Sequence, residues 1–263
     1  MTVYGRKAVL EALENPQLDV SCLHLADSNR AGGIVHQIQN AAEARGVALQ
    51  HHTRQDLSRI SRNGRQDQGV ALDIRCPAMR PLDTYLDALL REGKSGPQRI
   101  LALDGVTNPQ NMGMALRSAT AAGLTGVLYA QQGNPALGPL VVKASAGTVF
   151  RAPLLRCKTL IGAAQSLVDA DFRLFRLQAS ATTSLWDVEL PERALFVLGG
   201  ETHGLSREFG NLSGRDLSIP MANSVESLNV AVAAALVAFA IGPNGHGDRG
   251  ATSIDKPSPL PDP

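Results

Sequence analysis

Cysteine is scarce in this chain of 263 residues, and its three cysteines, Cys22, Cys76 and Cys157, lie far apart. Such a spacing provides neither the paired ligands of a structural metal site nor the even number of partners of a disulfide framework. The sequence therefore predicts reduced thiols in a cytoplasmic protein that holds no metal.

Long apolar runs are missing as well. The longest, residues 230–241, has 12 residues, whereas a helix that crosses a bilayer needs roughly 18 to 20. The first seven residues also lack the apolar core of a signal peptide. We therefore expect neither a membrane span nor export from the cell.

Acidic residues are absent from one long stretch, residues 105–168, although the whole chain has a formal net charge of only +1. A second basic run lies near the end of the first third and is opposed by Asp56 alone. A solvated face explains each cluster as well as a surface that contacts nucleic acid does. The basic residues are Arg117, Lys143, Arg151, Arg156 and Lys158 in the first cluster, and Arg54, Arg59, Arg62 and Arg65 in the second.

The hydropathy pattern divides the chain into two α/β parts. Residues 1–75 alternate helical stretches with apolar strands, which predicts a small α/β domain. Residues 76–98 are punctuated by proline and glycine around one short helical pattern, and we interpret them as a linker between domains. Residues 99–242 repeat apolar strands separated by helices, an alternation typical of a mostly parallel sheet covered on both faces. Residues 243–263, with five prolines and few apolar side chains, predict a disordered tail.

Three polar segments stand out in the second part, and the first is residues 104–113. Asn108 suits a helix N-cap, Pro109 the first helical position and Gly123 the helix end. The sequence therefore predicts a helix directly after the apolar strand of residues 100–103.

An arginine lies on that helix at a position suited to chemistry. Gly113 and Arg117 are four residues apart and share one face, so the glycine is expected to leave room beside the guanidinium. An arginine at the carboxyl edge of a sheet can hold a phosphate or a developing alkoxide. An ordinary capped helix with a surface arginine accounts for Asn108, but it leaves Asn111 unexplained.

The second polar segment, residues 198–205, ends an apolar strand with several glycines. These let the backbone approach a ligand, or they simply make a tight turn, and the residues support both interpretations equally. The spacing is not the Gly-x-Gly-x-x-Gly fingerprint of dinucleotide sites. A lone histidine such as His203 is more often a solvent-facing turn residue than a base.

The third polar segment, residues 219–230, runs into a helix that is apolar nearly all round and is therefore expected to be buried. Ser224 is the predicted N-cap of this helix, with Ser227 at its third position. The polar groups of Asn223, Ser224, Ser227 and Asn229 need partners. Either a polar ligand or these side chains themselves could supply them.

Taken in this order, the three segments resemble the signature motifs of the SpoU (TrmH-like) family of SPOUT RNA methyltransferases. The resemblance covers about residues 99–241, and residues 143–147 with Pro153 also look like the family. Residues 4–13 and 68–71 resemble, more weakly, the substrate-binding domain of the RlmB-like subgroup, which has a ribosomal-protein-like α/β fold. The motifs are Asn-x-x-Asn-x-Gly-x-x-x-Arg at Asn108, Asn111, Gly113 and Arg117; Gly-x-Glu-x-x-Gly at Gly199, Glu201 and Gly204; and Ile-Pro-Met with Ser-x-x-Ser-Leu-Asn-Val within residues 219–230.

The resemblance implies a carboxy-terminal trefoil knot, a rare exception to unknotted chains, where the residues alone would suggest an open doubly wound sheet. It implies S-adenosylmethionine as methyl donor, a ribose 2′-hydroxyl in structured RNA as acceptor, and a homodimer with its sites at the interface. It implies catalytic roles for Arg117, Asn108, Glu201, Ser227 and Asn229, cofactor contacts for Leu198, Gly199, Ile219, Met221 and Leu228, and RNA contacts for Arg54, Arg59, Arg62, Arg65, Lys143 and Arg151.

The mechanism depends on how the hydroxyl loses its proton. By resemblance Arg117 activates it, but a guanidinium is almost never neutral at neutral pH. We therefore expect Arg117 to stabilise the forming alkoxide while a substrate phosphate shares the proton. Ribosomal RNA, with guanosine as the candidate nucleoside, is the expected substrate. The alternatives are a tRNA methyltransferase, an antibiotic-resistance methyltransferase of ribosomal RNA, and a catalytically silent RNA-binding or assembly protein.

Overall fold

A computed structural model describes residues 1–29, 32–92, 96–200, 203–243 and 245. These residues form two β-sheets with helices packed against them. In this described part of the chain no helix has both the length and the apolar character that crossing a membrane requires. Nor, within the same residues, do three histidine, cysteine or acidic side chains gather as metal ligands would.

The amino-terminal sheet has four strands in the order β1-β4-β2-β3. β4 runs antiparallel to both β1 and β2, and β3 runs parallel to β2. The helices α1 and α2 pack against each other, and α3 begins where the Thr53 side chain accepts a hydrogen bond from the Asp56 backbone N–H. The strands are β1 (Thr2–Tyr4), β2 (Asp19–Ala26), β3 (Ala48–His52) and β4 (Val70–Arg75), and the helices are α1 (Arg6–Glu14), α2 (Gly33–Ala44) and α3 (Arg54–Ser61).

The second sheet has seven strands in the order β11-β9-β10-β6-β7-β8-β5. All of its strand pairs are parallel, which confirms the predicted parallel α/β sheet. The strands are β5 (Arg80–Pro81), β6 (Gln98–Asp104), β7 (Gly126–Ala130), β8 (Leu154–Cys157), β9 (Arg173–Leu177), β10 (Arg193–Gly199) and β11 (Arg215–Leu217). The helices are α4 (Leu82–Glu92), α5 (Pro109–Ala121), α6 (Pro139–Ala144), α7 (Leu160–Asp169), α8 (Arg207–Gly210) and α9 (Val230–Ile241).

Both faces of the seven-stranded sheet are covered by helices. Successive side chains of a strand point to opposite faces, so one strand contributes to both cores. Leu101 and Leu103 of β6 belong to the core that contains α5 and α9. Ile100 and Ala102 belong to the other core, which contains α4 and α7. With both faces covered, the strand ends are the part of the sheet that remains accessible to a ligand.

The segment predicted to be a linker, residues 76–98, packs on this second sheet. It supplies the edge strand β5, which pairs with β8, and helix α4, whose Tyr85 is fully buried and donates a hydrogen bond to Gln98 over 2.7 Å. The division of the chain into domains stays a prediction. The predicted tail, residues 243–263, lies outside the described residues except for Pro243 and Gly245.

The last helix, α9, differs from the expectation in two ways. Its N-cap is Asn229, whose side chain accepts a hydrogen bond from the Ala231 N–H over 2.9 Å. The predicted cap at Ser224 is wrong, because Asn223 and Ser224 both have φ of 55°, a left-handed conformation in which a right-handed helix does not begin. Only one face of α9 is buried in the single chain, since Val232, Leu236 and Phe239 are exposed.

Candidate active site

Two of the three polar segments meet at the carboxyl edge of the seven-stranded sheet. β6 and β10 are parallel and in register, with Asp104 opposite Gly199, so the segments that follow them start side by side. A side chain at Gly200 would begin 2.6 Å from the Gly105 carbonyl oxygen. The segments therefore touch backbone to backbone, and this contact requires a glycine.

The glycine-rich turn after β10 is closed by its own backbone. The Gly204 N–H donates to the Gly200 carbonyl over 3.0 Å, and Gly204 has φ of 64°. A side chain at Gly199 would begin only 2.1 Å from the Gly204 carbonyl carbon. The turn is also fixed to β6, because the Asp104 carboxylate accepts from the Ser206 N–H over 2.7 Å. The tight-turn interpretation of these glycines is therefore confirmed.

A cavity of about 260 Å³ opens between this turn and the segment before α9. All five residues expected to contact the cofactor line it, and so does Ser227. Its walls are mostly apolar side chains and glycine backbone, the composition typical of small-molecule sites. The predicted residues in its lining are Leu198, Gly199, Ile219, Met221 and Leu228, and others are Leu177, Gln178, Glu226 and Val230.

A hydrogen bond joins the first polar segment to the third. The Asn229 side-chain N–H donates to the Asn111 side-chain oxygen over 3.2 Å. Asn111 lies on α5 and is only 5% exposed. This contact explains the asparagine that the capped-helix interpretation left over. Asn111 was not among the residues predicted to act in catalysis or binding. Its place as the second asparagine of the Asn-x-x-Asn motif was a signal that could have identified it.

Helix α5 begins and ends as predicted. The Asn108 side chain caps it by accepting from the Gln110 N–H over 2.8 Å, Pro109 is its first residue, and Gly123 has φ of 75°. A side chain at Gly113 would begin 2.6 Å from the Ala144 side chain, so the glycine is required by the close packing of α6. The expectation that it also leaves room beside Arg117 stays a prediction.

Arg117, the predicted key residue, is exposed on α5. In the part of the chain that the structure describes, no hydrogen bond or ion pair engages its guanidinium. The structure therefore presents Arg117 to solvent, and Arg117 is not among the described residues that line the cavity. His203 is likewise exposed, while the predicted catalytic residue Glu201 lies outside the described residues.

Two of the arginines predicted to contact RNA form ion pairs within the protein. Arg54 lies 3.3 Å from the carboxylate of Asp67, which is fully buried, and Arg59 lies 3.0 Å from that of Asp56. Such pairs offset part of the positive charge that would attract a phosphate. Arg54 and Arg59 are therefore less available to RNA than the sequence suggests.

The other four predicted RNA contacts are exposed side chains. Arg62 ends α3 with φ of 54°, and Arg65 follows it in the loop toward β4. Lys143 is in the last turn of α6. Arg151 donates to the side-chain oxygen of Gln17 over 3.1 Å, so it connects the two halves of the chain.

The cysteines are free thiols, as expected. Burial, together with the nearby carboxylate of Asp83, raises the pKa of the Cys157 thiol to about 11. Burial also raises the pKa of the Cys22 and Cys76 thiols. At neutral pH all three are protonated, and a protonated thiol is a poor nucleophile.

Two family models match this chain. The model of the SpoU rRNA Methylase family matches residues 98–239. The chain belongs to this family. A second model, described as RNA 2′-O ribose methyltransferase substrate binding, matches residues 2–78. As a SpoU methylase with this substrate-binding part, the protein is an S-adenosylmethionine-dependent RNA 2′-O-methyltransferase.

Curated and solved relatives agree with this membership. The 23S rRNA (guanosine-2′-O-)-methyltransferase RlmB of Xylella fastidiosa is 33% identical over 90% of this chain and 94% of its own length. The SpoU methyltransferase AviRb of Streptomyces viridochromogenes superposes with a TM-score of 0.60 at 23% identity, covering 91% of this chain and 88% of that one. An rRNA methyltransferase of Sinorhizobium meliloti superposes with a TM-score of 0.58 at 22% identity, covering 90% of this chain and 85% of that one. The fold is therefore that of the knotted SPOUT methyltransferases.

Proposed function

We propose that this SpoU methylase modifies ribosomal RNA in the cytoplasm, with a guanosine ribose as the acceptor. One observation carries the site: five residues from two distant segments line a single cavity, and the Asn229–Asn111 hydrogen bond ties that cavity to the helix of Arg117. The substrate is supported by the Xylella fastidiosa relative, a 23S rRNA guanosine methyltransferase that this chain matches almost end to end.

The cavity fits S-adenosylmethionine in its chemistry. Leu198, Ile219 and Leu228 offer apolar surface for the faces of an adenine ring. Gly199, Gly200 and Gly204 present backbone without side chains to the cavity, so a ligand can approach the main chain closely there. Met221 completes the apolar wall in this proposal. When bound, the cofactor supplies an electrophilic methyl group on a sulfonium.

The protein's own residues would position and activate the acceptor. A guanidinium is almost never neutral at neutral pH, so Arg117 would stabilise the forming alkoxide while the hydroxyl proton passes to a substrate phosphate or to water. Asn229 fixes the start of α9 through its bonds to Ala231 and Asn111. That contact holds the cavity residue Ser227, two positions earlier, in place. By their motif positions, Asn108 and Glu201 are proposed to arrange Arg117 and the acceptor.

The test of this function is methyl transfer to defined RNA. We would incubate the purified protein and its Arg117→Ala variant with radiolabelled S-adenosylmethionine and unmodified ribosomal RNA or bulk tRNA. Label in ribosomal RNA that resists alkaline cleavage at the modified nucleotide, and that is lost in the variant, is the expected result. Label in tRNA alone would refute the proposed substrate, and absence of cofactor binding would refute the methyltransferase function.

We also propose that the protein is a homodimer that associates through the exposed face of α9. Val232, Leu236 and Phe239 are 49%, 36% and 54% exposed and are spaced by four and three residues, so they form one apolar stripe. The opposite face of α9 packs on α5, the helix of Arg117. An interface on this stripe would therefore lie close to the proposed site.

Association is tested by measuring molar mass in solution. The wild type is expected to sediment as a dimer, and Phe239→Glu as a monomer, because a buried charge in an apolar interface is strongly unfavourable. Leu90→Glu is the matched control, since Leu90 is 65% exposed on α4 and away from the stripe. A monomeric wild type, or a dimeric Phe239→Glu variant, would refute this interface.

A further inference from the structure

A polar groove lies at one edge of the amino-terminal sheet, remote in sequence from the methyltransferase motifs. β1 and β2 are both antiparallel to β4, so the ends of β1 and β2 and the start of β4 meet at one edge. An open, shallow groove of about 580 Å³ lies between the loops at this edge. The groove is lined by Arg6, Ser28, Asn29, Arg54, Arg65 and Gln68.

Arg6 is held in the groove by neutral acceptors. Its Nε donates to the Gln68 carbonyl over 3.3 Å and its Nη2 to the Asn29 side-chain oxygen over 3.2 Å. These bonds fix the plane of the guanidinium without neutralising its charge. They also use only two of its five N–H donors, so the others remain able to bind an anion.

The charge of the groove is not balanced from within. Among the residues the structure describes, no carboxylate lies within ion-pair distance of Arg6 or Arg65, whereas Arg54 is paired with Asp67. Arg65 is exposed. Two unpaired cations on one concave surface attract a phosphate, and a fixed guanidinium fork matches its oxygens with two parallel bonds.

The groove also adjoins the catalytic half of the chain. Tyr4 ends β1, immediately before the Gly5–Arg6 turn, and its hydroxyl lies 3.1 Å from the point where a side chain on Gly138 would begin. Gly138 is in the loop that follows β7, at the same carboxyl edge as the end of β6. An RNA strand in the groove could therefore continue toward the methyl-transfer site.

We propose that this groove binds a phosphodiester of the RNA substrate, with Arg6 as the two-pronged contact and Arg65 as a second charge. The exposed polar groups of Ser28 and Gln68 then face the neighbouring ribose or base. This inference rests on the proposed function and assigns part of its substrate recognition to residues outside the SpoU motifs. The groove sets RNA affinity, and it leaves the chemical step and cofactor binding unchanged.

The test compares single charge removals on the full-length protein. Arg6→Gln and Arg65→Gln are each expected to weaken binding of unmodified ribosomal RNA about tenfold. The slope of log affinity against log salt should fall by about one, as expected when one phosphate contact is lost. The KM for RNA should rise while kcat and the Kd for S-adenosylmethionine stay at wild-type values. Arg91→Gln is the matched control, because Arg91 is an exposed arginine on α4 whose ion pair among the described residues is with Asp87.

Several outcomes would overturn the inference. One is that RNA affinity and its salt slope are unchanged in both variants. Another is that Arg91→Gln loses as much RNA affinity as they do. A third is that polyglutamate displaces the RNA as readily as unlabelled RNA does. If Arg6→Gln lowers the thermal unfolding temperature, its weaker RNA binding no longer tests the groove, and Arg65→Gln provides the test instead. The exposed Arg65 makes no hydrogen bond to another described residue, so its replacement is expected to leave folding intact. A wild type that methylates no RNA would instead refute the proposed function.

Discussion

The two sheets of this protein hold their polar groups by different means. In the four-stranded sheet, charged and titratable side chains are fixed by one another: His24 lies 3.0 Å from the Asp73 carboxylate and 2.9 Å from the His52 ring nitrogen. At the site of the seven-stranded sheet the described contacts are mostly neutral, namely glycine backbone and the Asn111–Asn229 amide pair.

The two halves therefore differ in the partner that each suits. In the amino-terminal half, the guanidinium groups of Arg6 and Arg65 pair with no carboxylate among the described residues, and such charges suit a polyanion such as RNA, whose backbone is read electrostatically. Contacts between neutral groups fix much of the geometry at the methyl-transfer site, although the carboxylates of Asp104 and Glu226 also lie there. Arg117 is the proposed source of the positive charge that stabilises the forming alkoxide. Four predictions test this contrast, ordered by the size of the expected effect.

The largest effect is expected at Arg117, the proposed source of positive charge at the methyl-transfer site. Arg117→Ala should lower kcat by about 100- to 1000-fold, the usual loss for one preorganised group that stabilises a transition-state charge. Arg117→Lys should also lose activity, about tenfold or more, because lysine cannot reproduce the planar fork. Single-turnover methylation of RNA measures both, and a fully active lysine variant would contradict this role.

The next effect tests whether backbone geometry builds the cofactor cavity. Gly199→Ala places a side chain 2.1 Å from the Gly204 backbone, so the turn must open and the Kd for S-adenosylmethionine should rise about tenfold or more, a loss of roughly 1.4 kcal/mol. Titration calorimetry measures the Kd. Gly210→Ala is the matched control, because nothing lies within 4 Å of a side chain there; equal affinities in the two variants would refute the prediction.

A smaller effect is expected from the Asn111–Asn229 amide pair, in which Asn111 is buried and Asn229 is exposed. Asn111→Ala removes this hydrogen bond, and because the exposed Asn229 can bond to water instead, the cost should be about 0.5–1.5 kcal/mol. Urea unfolding should therefore show a reduced free energy of unfolding, and kcat should fall because the start of α9 is less well fixed. A variant as stable and as active as the wild type would show that this contact is dispensable.

The smallest effect concerns Asp73 in the amino-terminal sheet. Burial alone would raise its pKa, but hydrogen bonds from Thr2 and His24 and the positive charges nearby outweigh burial and lower it. The ionised form therefore stabilises the folded state above the unfolded pKa of about 3.9, and that stabilisation is lost as the pH falls through the lower folded value.

Comparison with Asp73→Asn measures this contribution. At pH 7 the variant should be less stable by about 1 kcal/mol, a modest figure because the carboxylate is partly exposed. The difference should shrink in urea unfolding at pH values below about 4, where the wild-type carboxylate is protonated as well. If the difference in free energy of unfolding between the wild type and Asp73→Asn stayed constant between pH 7 and pH 3, ionisation of Asp73 would not be its cause.

Local patterns predicted the elements that they encode directly. Asn108, Pro109 and Gly123 marked the ends of α5 because capping depends on neighbouring residues alone. The apolar run of β10 was evident for the same reason. Short elements such as β5 and β11 have too few residues for a periodic pattern, and they form because parallel neighbours supply their hydrogen bonds.

Other features depended on contacts between residues far apart in sequence. The pairing of Arg54 with Asp67 and the exposure of Phe239 are invisible in the pattern, because each depends on which surfaces the fold brings together. The misplaced cap at Ser224 is a related case: Asn223 and Ser224 adopt left-handed conformations, and the helix starts only after Asn229, which contacts Asn111.

The alternation of apolar strands and helices predicted the parallel α/β class, and motifs of fixed spacing predicted the family and five of the residues that line the cavity. Only the tertiary structure decided that Gly113 serves helix packing, that Asn111 bridges two motifs, and that Arg6 and Arg65 share one groove. The physical reason is that short-range order follows from neighbouring residues, whereas a site is made by side chains that meet only after the sheets have formed.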